Sequence, residues 1–143
     1  MKMENITIDQ FHHIEMKIGT ILKAEYIEGA DKLLRLEVDF GPIEVLEVVI
    51  DVKNVPQTNT SETQAEKNEE VKVRDIRQIL SGIRQFYRAE DLIGKQCPFV
   101  TNLLPRTMRG LESHGMILAV GGLGGSAILL HPDKEVSSGS KLR

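Results

Sequence analysis

A chain of 143 residues with a net charge of -3 is long enough to bury one hydrophobic core and offers little material for a second. Its single cysteine excludes an internal disulfide bond and a multi-cysteine metal cluster, and suits a reducing compartment. No apolar run approaches the roughly 18 residues of a membrane span, so we expect a soluble, cytoplasmic protein without a membrane contact.

Two alternating strands open the predicted fold. Residues 14–26 alternate apolar and polar side chains, which indicates a long strand that is buried on one face. Gly19 lies near its middle, where a bend or bulge would let one strand serve two sides of a small barrel. A turn at residues 29–32 then leads into a second alternating strand over residues 34–40.

The segment after Pro42 is less regular. Residues 43–52 have the composition of an extra strand, whereas the only apolar residue of segment 56–70 is one alanine. A segment that buries so little apolar surface does not offset the entropy lost on ordering, so a mobile loop is predicted there. We therefore expect a single domain over residues 1–143 that carries a polar insertion at about residues 42–75.

The remaining elements follow in short steps. Residues 72–83 predict a third strand, with Ile76, Ile79 and Leu80 buried. The spacing of apolar residues predicts one short helix that ends at Gly94. The last predicted elements are a fourth strand at 96–101, a doubly buried fifth strand at 115–120, a hairpin loop at 121–126 and a final strand at 127–130.

This order of elements predicts an all-β fold class. Five or more short strands, with a short helix between strands 3 and 4, are typical of the OB-fold. The OB-fold is a five-stranded Greek-key barrel that binds oligomeric ligands on one face.

The connector between the fourth and fifth strands carries the candidate chemistry. Its proline and two glycines prevent either strand from continuing, so a compact turn is predicted. One helical turn from the proline would place Arg106 and Arg109 on one side as a positive claw, flanked by Asn102 and Ser113. The alternative is that these residues only cap a turn.

Charge is distributed unevenly along the chain. Residues 1–71 carry 7 positive and 15 negative side chains, whereas residues 72–109 carry 8 positive and 3 negative. Because charges separated by more than about 8 to 10 Å are screened at physiological salt, a local basic patch attracts phosphate even on an acidic protein. The alternative is that these cations pair with the acidic N-terminal half.

Short motifs in a fixed order resemble the tRNA-binding domain family. They are MKIG at residues 16–19, ADKLL at 30–34, QILSGI at 78–83, GK at 94–95, NL at 102–103, PR at 105–106, RG at 109–110, ES at 112–113 and GMIL at 115–118. The family includes the C-terminal appendage of many methionyl-tRNA synthetases, freestanding beta-subunit-like proteins and CsaA-type proteins. The resemblance spans nearly the whole chain outside the insertion.

The resemblance implies an OB-fold that, when freestanding, is a homodimer and binds tRNA by shape and backbone. It also implies an aminoacyl-tRNA synthetase as a partner. With only two tyrosines, four phenylalanines and no tryptophan, the chain is poorly equipped for base stacking, so phosphate contacts have to dominate. The residues that the resemblance assigns to the binding face are Lys17, Lys32, Arg77, Ser81, Asn102, Arg106, Arg109, Ser113 and Met116.

Two departures from the family pattern favour weaker binding. Leu104 and Thr107 stand where relatives often have lysine, and each lost phosphate contact lowers affinity and its salt dependence.

In addition, residues 121–142 resemble CsaA-type endings, which implies an alternative function as a chaperone or docking module for extended peptides.

Catalysis and cofactor binding are not expected. The four histidines are scattered, and the glycine-rich segment 121–125 lacks the Lys-Ser/Thr of a phosphate-binding loop. The signatures of a synthetase catalytic domain are also absent from the sequence. We therefore expect a binding module with no metal and no cofactor.

Overall fold

The computed structural model describes residues 2–43 and 73–143, which form mainly β structure. In chain order the elements are the helix α1 (Ile8–Phe11), the strands β1 (Met16–Tyr26), β2 (Leu34–Pro42) and β3 (Arg74–Ser81), a 3-10 helix (Ala89–Asp91), the strands β4 (Gln96–Val100), β5 (Arg106–Met108), β6 (Leu111–Ser113), β7 (Met116–Ile117) and β8 (Ala119–Gly121), a second 3-10 helix (Leu123–Gly125) and the strand β9 (Ala127–Leu129). The predicted loop at 56–70 and nearly all of the predicted extra strand at 43–52 lie outside the described residues.

Five strands form one curled antiparallel sheet in the order β3-β2-β1-β4-β7, and two hairpins, β5–β6 and β8–β9, stand beside it. The curl brings β3 back towards the chain that enters β7. His114 N–H, between β6 and β7, donates to the backbone oxygen of Gln78 in β3 at 2.9 Å. This arrangement confirms the predicted all-β, barrel-like fold class.

Strand β1 serves both sides of the barrel, as its glycine predicts. Residues 20–26 pair with β2 and residues 16–20 pair with β4, and the register shifts between Ile21 and Lys23. A Cβ at Gly19 would lie 2.7 Å from Phe40 Cε1 and closer still to Val38, so only glycine lets the strand pass at this depth. The register shift also interrupts the predicted alternation, because Ile21 is buried and the following Leu22 is exposed.

The chain after β9 returns across the barrel as a tail, residues 131–143. Strand β2 pairs with β1 only from Thr20 onwards, which leaves the edge of the first β1 residues open. The tail fills that edge, since Gly139 N–H donates to Ile18 O (2.7 Å) and Ile18 N–H donates to Ser140 O (2.8 Å). Both edges of this part of β1 are therefore hydrogen-bonded.

The core lies inside the curl of the sheet. Its largest fully buried side chains are Ile21, Leu34, Leu36, Val38, Ile79, Leu92, Cys97 and Phe99. Phe40 and Phe99 meet edge to face with ring centroids 5.3 Å apart. Burial raises the pKa of the Cys97 thiol to about 11, so this cysteine stays protonated and acts as a small apolar side chain.

The predicted helix before Gly94 is wrong. That segment contains only the 3-10 turn Ala89–Asp91, because Arg88 is extended (φ -80, ψ 142) and interrupts any helical run. The turn still buries Ala89 and Leu92, which explains the apolar spacing, whereas Ile93 is exposed.

One predicted buried position in β3 and the double burial of the predicted fifth strand are also wrong. Ile76 lies on the outer face of β3 and is exposed, while Leu80 on that face is buried where Ser113 contacts the strand.

The predicted fifth strand is divided in two, because β7 pairs with β4 and β8 pairs with β9. Met116 in β7 and Val120 in β8 are accordingly exposed. The predicted hairpin loop at 121–126 and the final strand are confirmed.

Candidate nucleic-acid interface

The connector is a β-hairpin, so the predicted helical turn from Pro105 is wrong. Arg109 (φ 52) and Gly110 (φ 77) form the two-residue loop between β5 and β6. Positive φ at both loop positions is the signature of a type I′ turn, whose twist matches that of the flanking strands. Arg109 is the one non-glycine residue with positive φ among the described residues, and it lies at the tip.

The register of the hairpin keeps its acidic residue away from Arg106. Arg106 pairs with Ser113, Thr107 pairs with Glu112, and Met108 pairs with Leu111. Because alternate pairs point to opposite faces, Arg106 and Glu112 lie on different faces of the hairpin. Across residues 2–43 and 73–143, no carboxylate oxygen lies within 4 Å of the guanidinium of Arg106 or of Arg109.

Arg77 holds the two ends of the connector together. Its Nη1 donates to Thr101 O (2.6 Å), where the connector begins, and to His114 O (3.2 Å), where it ends. Its Nε and Nη2 make a two-pronged ion pair with Asp75, each at 3.0 Å. The guanidinium also lies 5.4 Å from the ring centroid of Phe40. Most of the hydrogen-bond donors of the Arg77 guanidinium are therefore used within the protein.

Asn102 joins the connector to the N-terminal segment. Its Nδ2 donates to His13 O (2.7 Å), and its Oδ1 accepts from Glu15 N–H (2.9 Å). The neighbouring Thr101 hydroxyl donates to Glu15 Oε1 at 2.6 Å. That hydrogen bond, with a smaller contribution from the charge of Lys17, lowers the pKa of the Glu15 carboxyl against the opposing effect of burial.

The two predicted serines are buried. Ser113 Oγ accepts from Leu80 N–H (3.0 Å) and donates to Gly115 O (3.0 Å), so its hydroxyl replaces a backbone partner between the hairpin and β3. Gln78 adds a bond from Nε2 to Glu112 O at 2.8 Å. Ser81 ends β3 and is 5% exposed, which leaves its side chain inaccessible to a macromolecule.

The other three predicted residues lie apart from one another. Lys17 in β1 is bridged through the backbone to Lys141 of the tail, and its Nζ lies 3.5 Å from Glu15 Oε1. Lys32 is exposed in the turn before β2, at the opposite end of β1 from Lys17. Met116 is exposed in β7. The sequence does not predict that Lys141 lies beside Lys17, because the two residues are 124 positions apart and only the return of the tail brings them together.

Most arginines of the basic middle region are engaged within the protein. Arg74 pairs with the buried Asp39 (2.8 Å), which agrees with the alternative that these cations neutralise the N-terminal half. Arg88 pairs with Asp91 (3.1 Å), and Arg84 donates to Ala30 O (2.7 Å). Among the described residues, the arginines of this region that form no ion pair and no side-chain hydrogen bond are therefore Arg106 and Arg109, both on the β5–β6 hairpin.

The hairpin and its supports form one unit. Arg77, Asn102 and Ser113 hold the connector by bonds within the protein, and the exposed Arg106 and Arg109 project from it. Among the described residues there is no group of three His, Cys, Asp or Glu side chains that suits a metal ion. In the same part of the chain, none of the helices has the length and apolar character needed to cross a bilayer.

The sequence of this chain matches a family model and the sequences of known methionine–tRNA ligases. The family described as "Putative tRNA binding domain" matches residues 63–141. A methionine–tRNA ligase from Methanothrix thermoacetophila is 39% identical over 138 residues, which are 96% of this chain but 16% of that ligase.

Solved structures show the same relationship over full chain lengths. A MetRS-related protein from Pyrococcus horikoshii is 30% identical with a TM-score of 0.72, and the match covers 99% of this chain and 100% of that one. The chaperone CsaA from Bacillus anthracis is 25% identical with a TM-score of 0.69, and the match covers 98% and 100% of the two chains.

Proposed function

Because this chain belongs to the tRNA-binding domain family, we propose that it is a non-catalytic module that binds tRNA through the phosphate backbone. The observation that supports this proposal is the β5–β6 hairpin, whose two exposed guanidiniums have no carboxylate partner among the described residues. A guanidinium suits phosphate because its planar donors match two phosphate oxygens at once.

The supports of the hairpin strengthen the proposal. Binding costs less when the binding groups are already held in place, since less conformational freedom is lost. Arg77 and Ser113 fix the two ends of the hairpin by bonds of 2.6 to 3.2 Å. We therefore propose that Arg77, Asn102 and Ser113 act on the RNA indirectly, by holding the connector that carries the contacting arginines, whereas the buried Ser81 has no part in binding.

A salt-dependent titration tests the proposal. Bulk tRNA is titrated at several salt concentrations against the wild type and the double variant Arg106→Gln/Arg109→Gln. Each lost phosphate contact reduces the slope of log affinity against log salt by about 0.7 to 0.9, so the double variant should lose about 1.4 to 1.8 units of slope.

The matched control removes two other arginines. Arg35→Gln/Arg88→Gln changes the net charge by the same amount, but each of these side chains has a carboxylate partner, at 3.9 Å and 3.1 Å respectively. The control should retain nearly the wild-type slope. Binding without salt dependence, or equal slopes for the two double variants, would reject the hairpin as the phosphate contact.

The relatives suggest where such a module acts. A freestanding tRNA-binding module raises the effective concentration of RNA near a partner enzyme without new chemistry. We therefore include an aminoacyl-tRNA synthetase as a partner, and a cytoplasmic location, in the proposal. Pull-down of a synthetase by the tagged chain, abolished by ribonuclease treatment if RNA alone bridges them, distinguishes direct from tRNA-mediated association.

Peptide binding is the second candidate, and a separate surface favours it. Val120 and Ile128 are paired in the β8–β9 hairpin and are 47% and 51% exposed, while Leu123 in its loop is 99% exposed. Such an apolar hairpin suits a protein contact. Suppressed aggregation of an unfolded client, insensitive to added tRNA and lost in Val120→Ser/Leu123→Ser, would favour this function over RNA binding.

The same exposed hairpin also suits self-association, and we propose that the chain is a homodimer. Burying it against a second copy would remove its apolar side chains from water at about 25 cal/mol for each Å². Light scattering at micromolar concentration should give twice the 16.0 kDa of one chain. A mass near 16.0 kDa would exclude a stable dimer.

A further inference from the structure

A second basic site lies at the other end of β4 from the arginine hairpin. A cleft of about 640 Å³ opens between the start of β4 and the tail. Three basic residues line it, Lys95 before β4 and His131 and Lys134 in the tail, against a single carboxylate, that of Glu135. Its volume is in the range of about 300 to 1,000 Å³ that small-ligand sites occupy.

The two lysines of this cleft form no ion pair within the described part of the chain. Neither Lys95 nor Lys134 has a carboxylate oxygen within 4 Å there, in contrast to the paired Arg74 and Arg88. Lys95 is partly buried, with its Nζ 6.0 Å from the ring centroid of Tyr87. A partly buried cation next to an aromatic ring is less screened by water than a lysine on an open surface, so it attracts an anion more strongly.

The wall of the cleft is held rigidly by side chains of the barrel. The Gln96 amide bonds both ways to Val136 of the tail, donating to its oxygen at 2.6 Å and accepting from its N–H at 3.0 Å. The Thr20 and Ser138 hydroxyls lie 2.8 Å apart, and His131 Nδ1 donates to Gln96 O at 2.7 Å. These bonds fix the tail before any ligand arrives, which lowers the entropic cost of binding.

We propose that this cleft binds a phosphate group, with the ammonium groups of Lys95 and Lys134 as its principal cationic contacts. Gln96 lines the cleft at the start of β4, whereas the connector follows the strand's last residue, Val100. At about 3.3 Å per residue the two sites are roughly 13 Å or more apart, so the cleft is separate from the hairpin. The phosphate comes either from the backbone of an RNA that spans both sites or from a small phosphate ester.

The test uses inorganic pyrophosphate as the probe. Backbone amide NMR spectra of ¹⁵N-labelled protein are recorded at low salt during the titration, for the wild type, Lys95→Gln/Lys134→Gln and the control Lys23→Gln. Lys23 is exposed and lies 3.9 Å from Glu37, so its loss changes charge outside the cleft. The wild type and the control should show saturable shifts at residues 94–96 and 131–138, and shifts at the arginine hairpin should be the same in all three proteins.

The double variant should bind pyrophosphate at least about tenfold more weakly, because it loses the charge-assisted hydrogen bonds of two ammonium groups to the anion. Shifts spread over many basic surfaces, or equal binding by the double variant and the wild type, would overturn the proposal. The dispersion of the amide signals shows in the same experiment whether each variant is folded, so a loss of binding is distinguished from unfolding.

A tRNA titration of the same variants identifies the source of the phosphate. Weaker tRNA binding by Lys95→Gln/Lys134→Gln, with displacement by pyrophosphate, would support the phosphate site and assign it to the RNA backbone. Unchanged tRNA binding, together with loss of pyrophosphate binding, would support the site and assign it to a small phosphate ester. The pyrophosphate result does not depend on the arginine hairpin, so the two proposals succeed or fail separately.

Discussion

Arg109 is the residue at which backbone conformation and proposed chemistry conflict. Its φ of 52 is uncommon for a side chain with a Cβ, and glycine or asparagine adopts it at lower cost. Strained residues cluster at functional sites, and in our proposal Arg109 supplies a cation at the tip of the hairpin.

The substitution Arg109→Asn separates these two effects. Asparagine tolerates positive φ but carries no charge, so the variant should be as stable as the wild type or more stable, by up to about 1 kcal/mol. Its tRNA affinity should nevertheless fall and its salt slope should decrease by about 0.7 to 0.9. Denaturant unfolding and RNA titration measure the two quantities, and a destabilised variant with unchanged RNA binding would contradict this assignment.

Single residues also show what the sequence predicts well. The change of partner strand along β1 near Gly19 is predictable because it depends on one glycine within an alternating strand. The roles of Arg77 and Asn102 are not, because their partners Thr101 and His13 are 24 and 89 positions away. Residue type and motif identify these positions as important, but only the folded chain distinguishes a supporting residue from an exposed one.

At the scale of elements, the prediction that differs most from the structure is the helical turn in the connector, which is a β-hairpin. The spacing of three between Arg106 and Arg109 fits a helical turn, but Arg109–Gly110 also fits a two-residue hairpin loop, and strand pairing decides between them. The predicted helix before Gly94 fails for a similar reason. There, an extended Arg88 leaves a short 3-10 turn that buries the same apolar residues.

The N-terminal segment is held to the barrel mainly by hydrogen bonds from residues distant in sequence. Helix α1 has a capping box between Thr7 and Gln10, yet none of its four residues is buried. Asn102 is therefore a main attachment, through its bonds to His13 O and Glu15 N–H.

Asn102→Ala should release this segment locally. The loss of two hydrogen bonds corresponds to about 1 to 3 kcal/mol, so amide exchange of residues 11–15 should accelerate by about tenfold or more. Residues of β2 and β3 should exchange as in the wild type. Asn102→Asp, which retains the acceptor for Glu15 N–H, serves as the matched variant and should show a smaller effect. Equal exchange in all three proteins would show that Asn102 does not hold the segment.

At the scale of the whole molecule, the curled sheet places the arginine hairpin beside β3 and the tail cleft at the opposite end of β4. An acidic protein thereby gains local positive surfaces, because most of its other arginines are paired with carboxylates. Alternation and motif order predict the barrel, since both reflect local pattern. The distribution of paired and unpaired charge depends on which segments meet in space, and it emerges only from the fold.

We propose that Arg106 and Arg109 contact RNA while Arg77 supports them from within. NMR of the arginine Nε–H groups during addition of tRNA tests this claim directly, with signals assigned from single Arg→Lys variants. We expect the Arg106 and Arg109 signals to shift or broaden at the lowest tRNA concentrations, while those of Arg35 and Arg88 stay unchanged. Early changes at Arg35 or Arg88, with those of Arg106 and Arg109 unaffected, would contradict it.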